Sequence, residues 1–164
     1  MTILCPDAEI GETGVVNGIT YTKRDRAGLD ALRAGDENNP EFVTTCTSRV
    51  QDLSSLFEND STFNQPIGKW DVSSVLTMAN LFAHAGMFNQ SLEYWDVSGV
   101  VDMSSMFYYA VKFNQPIMRW NVSNVQSLGR MFGYAKSFNQ PLNDWDVSNV
   151  KFLNVVFMSA ESFN

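Results

Sequence analysis

Long apolar runs are missing from this chain. No stretch of about 18 or more apolar residues occurs in its 164 residues, so no segment reads as a membrane-spanning helix. Positive charge is scarce. Lys and Arg number 11 against 18 Asp and Glu, for a net charge of −7, which argues against a general binder of nucleic acid or anionic membrane, since both need basic patches. Cysteine and histidine are rarer still: Cys5, Cys46 and His84 are too few for a four-ligand thiolate zinc site. No paired nucleophile and base, phosphate-cradling loop or metal-ligand cluster is recognisable, so the chain reads as a non-enzyme without a cofactor. Met1-Thr-Ile-Leu-Cys5 has neither the basic start nor the apolar stretch of a secretory leader. Export is therefore expected to depend on a leader outside this chain.

What is abundant is apolar and periodic. Apolar residues make up 45% of the chain, enough for a continuous core and against disorder. Phe recurs at 63, 88, 113, 138 and 163, and Trp at 70, 95, 120 and 145. A fixed period of this length predicts stacked units, each burying its apolar side against its neighbours. Further columns follow the same 25-residue step: Val72, Val97, Val122 and Val147; Val75, Val100, Val125 and Val150; Phe82, Phe107, Phe132 and Phe157. Trp70 and Val72 have strand spacing, whereas Val75, Met78, Leu81 and Ala85 have helical spacing. The expected architecture is an α/β solenoid, a right-handed coil of short parallel strands and short helices.

Residues 1–40 lie outside the period. Gly14 to Thr22 reads as a hairpin around Asn17-Gly18, a turn that needs positive φ at both positions. Asp25 to Ala34 reads as a helix, N-capped by Asp25 and stopped at Gly35. Hairpin and helix together are expected to form an N-terminal cap. Residues 41–62 are a worn first unit, 63–162 hold four full units, and Phe163-Asn164 opens another, whose absence of a cap points to a longer chain or a covering partner. Cys5 and Cys46 are expected to form a disulfide between the cap and the first unit; unpaired thiols are the other reading.

Polar columns carry the remaining information. Asn64, Asn89, Asn114 and Asn139 are read as a structural hydrogen-bonded ladder. Asp71, Asp96, Asn121 and Asp146 precede Ser73, Ser98, Ser123 and Ser148 by two residues. These side chains either close their own turns or, through Asp71, Asp96 and Asp146, hold calcium. The variable outward positions are Lys69, Tyr94, Arg119 and Asp144, beside Ser74, Gly99, Asn124 and Asn149. Candidate ligand-binding residues are drawn from them: Lys69, Tyr94, Arg119, Asp144, Ser74, Asn124 and Asn149.

The segment Ile67-x-x-Trp70-x-Val72-x-x-Val75 resembles the leucine-rich repeat. The full unit, Phe-Asn-Gln-Pro-x-x-x-Trp-Asp-Val-Ser-x-Val-x-x-Met-x-x-Met-Phe-x-x-Ala, resembles the BspA-type repeat of bacterial, mycoplasma and Gram-positive surface proteins. That resemblance covers 63–164 closely and 41–62 loosely. It implies an extracellular or cell-surface module that binds a protein or glycan, in adhesion-type recognition, through the strand side. The alternative is a structural spacer or assembly subunit with no specific ligand there. Self-association through the open C-terminal coil is a further expectation.

Overall fold

The computed structural model describes residues 1–36 and 38–164. Asn17 and Gly18, with φ of 51° and 78°, turn the chain between β1 (Thr13–Val16) and β2 (Ile19–Lys23). The two strands pair antiparallel, with Val16 opposite Ile19. β2 then pairs in parallel with β3 (Thr45–Cys46), closing a three-stranded mixed sheet in the order β1-β2-β3. Between them runs α1 (Arg26–Gly35), where Asp25 accepts a hydrogen bond from the Gly28 N–H at 2.9 Å and caps the first turn. A 3₁₀ turn, Pro40–Thr44, follows and buries Phe42. Cys5 and Cys46 are joined by a disulfide.

The expected α/β solenoid is not what forms. Among the described residues, one α-helix, one 3₁₀ turn and one three-stranded sheet are the named regular elements, and all lie before residue 47. No unit of strand plus helix recurs after it. The stretch from Val75 to Ala85 is a succession of tight turns: the N–H groups of Leu81, Ala83 and Ala85 bond to the carbonyls of Met78, Asn80 and Phe82, three residues back. The intervening N–H groups of Met78, Asn80, Phe82 and His84 leave the segment and bond to Asp102, Ser104, Met106 and Tyr108 at 2.7–2.9 Å. An α-helix needs every N–H directed four residues back along its own segment. Left-handed residues prevent that here, since Asn80 and His84 have φ of 56° and 62°. Apolar spacings of three and four fit such turns as well as they fit a helix.

The expected strand is displaced as well. Trp70 to Val72 is irregular. The parallel pairing is reduced to single bridges, Asp52↔Thr77↔Asp102↔Ser127↔Phe152, inside the segment expected to be helical.

Packing rather than regular structure holds this part together. Phe57, Phe82, Phe107, Phe132 and Phe157 form one file with ring centroids 5.5–5.7 Å apart. Phe63, Phe88, Phe113, Phe138 and Phe163 form a second, at 5.8–6.0 Å. Each Trp also answers a polar need that the apolar pattern does not register. The indole N–H groups of Trp70, Trp95, Trp120 and Trp145 donate to the carbonyls of Phe42, Ile67, Leu92 and Ile117 at 2.8–3.3 Å. Leu29 of α1 and Phe42 belong to the same continuous core, with Leu32 packed against it. Ile3, Tyr21 and Cys46 form a smaller cluster under the disulfide. No helix among the described residues is long and apolar enough to cross a membrane.

Candidate functional site

The column Lys69, Tyr94, Arg119 and Asp144 falls in turns and is exposed. Arg119 pairs with Glu93 of the preceding turn at 3.4 Å, and Tyr94 stands 66% exposed. Ser74 is half-buried. Asn124 and Asn149 donate to the Ser98 and Ser123 carbonyls, each at 2.7 Å. With Gln126 and Lys151 they line a shallow groove of about 250 Å³. The structure thus brings Asn124 and Asn149 together and leaves the Lys69 column apart from them. Because neither set lies on a strand, the strand-side face required for adhesion-type recognition, or for a spacer defined by that face, is absent among the described residues. That reading is corrected accordingly.

The Asp column closes its own turns. Oδ1 of Asp71, Asp96, Asn121 and Asp146 accepts the N–H of the Ser two residues on, at 3.0–3.1 Å. For the first three, it also accepts that Ser hydroxyl. Among the described residues no group of three or more His, Cys, Asp or Glu converges where a metal could sit. The Asn column runs as a chain along the surface: Oδ1 of Asn64, Asn89 and Asn114 accepts the backbone N–H of the Asn one period on and the amide of the following Gln. Asn139 Oδ1 accepts from Asn164 N–H at 3.4 Å. His84, Tyr109 and Tyr134 stack on one surface.

Sequence reasoning missed a polar cluster beside the disulfide. Lys23 is 4% exposed; its ammonium donates to the carbonyls of Cys5 and Ser48. Ser48 donates to Asp71 and accepts the Cys5 N–H. The available signal was period two: Lys23 shares a face of β2 with the buried Tyr21. Burial lowers the Lys23 pKa, helped by Arg49, against Asp71 and Asp7. Burial pushes Asp71 up, but the hydroxyls of Ser48 and Ser73, the Ser73 N–H and the Lys23 charge together hold it below the ordinary carboxylate value.

This fixes the sign of a pH effect. A carboxylate whose pKa is depressed on folding adds stability above its unfolded value of about 4, and that stability is lost as pH falls through the folded value. Asp71→Asn keeps the turn-closing oxygen, as Asn121 does, but removes the larger of the two negative charges acting on Lys23, leaving Asp7. The variant should unfold more easily at neutral pH by about 1–3 kcal/mol, and the gap to the parent should close as pH drops below about 4. Denaturant titrations at several pH values measure this; a gap independent of pH rejects the assignment.

In the C-terminal coil, where the sequence reading expects self-association, the structure has an apolar edge. Val147, Phe152, Leu153 and Val155 are 42–63% exposed. The N–H groups of Leu128, Arg130, Phe132 and Tyr134 bond to the carbonyls of Phe152, Asn154, Val156 and Met158. Among the described residues, the corresponding donors of Leu153, Val155, Phe157 and Ser159 have no acceptor. The edge therefore offers apolar side chains and unpaired backbone together.

A family described as "Mycoplasma protein of unknown function, DUF285" fits residues 31–126 and 91–164. No curated protein and no solved structure matches. With the turn-built architecture, this corrects the expected assignment to leucine-rich and BspA-type repeats.

Proposed function

The chain belongs to this family of unknown function, and we propose that it is a non-catalytic association unit, acting outside the cell or at its surface, that pairs with a second copy of itself. The observation that carries the reading is the edge at residues 147–159. It combines exposed Phe152, Leu153 and Val155 with unpaired backbone donors, the two features that make an open edge a template for another chain. The opposite end of the core is covered by α1 and the Pro40–Thr44 turn, through Leu29 and Phe42. Pairing of this edge with its own copy makes the contact two-fold and self-complementary. Lys151 on this edge, with Asp144 and Asp146 nearby, supplies both signs of charge for such a pairing. The Cys5–Cys46 disulfide supports an oxidising compartment, where such bonds persist.

Sedimentation across a dilution series tests the pairing. A concentration-dependent dimer is expected. Phe152→Glu should weaken it by about 30-fold or more while changing unfolding of the monomer by no more than about 0.5 kcal/mol, since the side chain is exposed. A monomer at every concentration ends this reading.

A further inference from the structure

A row of aromatic side chains occupies backbone positions that do not favour them. Positions 59, 84, 109, 134 and 159 are left-handed, with φ of 53–62°. Asn59 suits such a position, whereas bulky residues are uncommon there. Yet His84, Tyr109 and Tyr134 occupy its middle, their rings stacked at 4.9 and 4.3 Å with interplanar angles of 10° and 12°. Tyr108 stands edge-on beside them, 4.9 Å from Tyr109 and 5.8 Å from Tyr134. Room for it comes from Gly133, where a Cβ would lie 2.9 Å from the Tyr108 ring. His84 takes the other face of Tyr109, so within the row Tyr134 is the one phenol lying parallel to it. Both tyrosines are half-buried.

We propose that Tyr109 and Tyr134 are a site of oxidative cross-linking, at which hydrogen peroxide and a haem peroxidase join the two rings as dityrosine and staple adjacent turns together. Each phenol gives up one electron and its hydroxyl proton. The two phenoxyl radicals combine through their ortho carbons, forming one C–C bond. Each ortho C–H proton then moves to the ketone oxygen of its own ring as the dienones tautomerise to phenols and the rings regain aromaticity. Two hydrogen atoms leave in total, and one peroxide is reduced to two waters. Stacking fixes the reacting carbons near one another before oxidation, the condition under which an intramolecular step outruns a bimolecular one.

The intact chain, treated with peroxide and a haem peroxidase and then denatured, is read by mass and by dityrosine fluorescence. The monomer is expected to lose two hydrogens and to yield one joined peptide pair containing Tyr109 and Tyr134. Tyr109→Phe and Tyr134→Phe each keep a ring in the stack and should abolish that product, with folding checked by thermal unfolding. Tyr94→Phe should leave it unchanged. Coupling that survives either stack variant, maps to Tyr108, or occurs only between chains through exposed Tyr94 overturns the proposal, as does the absence of coupling in the folded protein.

Discussion

Replacing Phe107 with alanine is expected to lower the stability of the folded protein by about 3–5 kcal/mol. Its ring is fully buried and sits in the middle of its file, 5.6 Å from Phe82, 5.7 Å from Phe132 and 3.8 Å from Phe113 of the neighbouring file. The surroundings cannot close over the gap. The backbone on either side is pinned by bonds from Phe82 N–H to the Met106 carbonyl and from Phe107 N–H to the Met131 carbonyl, both 2.9 Å. A cavity that cannot relax adds its own cost to the lost transfer energy. Phe163→Ala supplies the contrast: that ring is only half-buried and stacks on Phe138 and Phe157, so about 1 kcal/mol is expected. Urea unfolding of both variants measures the difference. Equal costs would falsify the view that stacking across turns holds the core.

Removing the disulfide with the double substitution Cys5→Ser and Cys46→Ser should cost about 4 kcal/mol, because the bond closes a loop spanning 41 residues and its loss returns that entropy to the unfolded chain. The consequence should be local first. Ile3 and Tyr21 pack around Cys46, Ile3 N–H bonds to the Lys69 carbonyl, and the Lys23 ammonium is held by the carbonyls of Cys5 and Ser48. Hydrogen exchange should therefore rise in residues 1–23 before it rises in the phenylalanine files. A loss below about 1 kcal/mol, or uniform exchange, rejects this account.

Short-range chemistry was legible in particular residues. Asn17-Gly18 names a turn because few other pairs accept two positive φ angles. Asp25 reaches its capping partner, the Gly28 N–H, within its own turn. Asp71 and Ser73 close a turn by themselves. What misled was spacing: Val75, Met78, Leu81 and Ala85 suit a helix, but they suit tight turns equally. Lys23 was missed because its burial depends on Ser48 and Asp71, 25 and 48 positions further along the chain.

The sequence alone determined which side chains are apolar, how far apart they recur and which local turns close themselves, because those properties need only neighbouring residues. Tertiary structure alone decided where the backbone hydrogen bonds go. Whether the Phe82 N–H points along its own segment or across to the Met106 carbonyl depends on an acceptor that is in reach only after the turns have packed. That choice is what replaces helix and strand by turns.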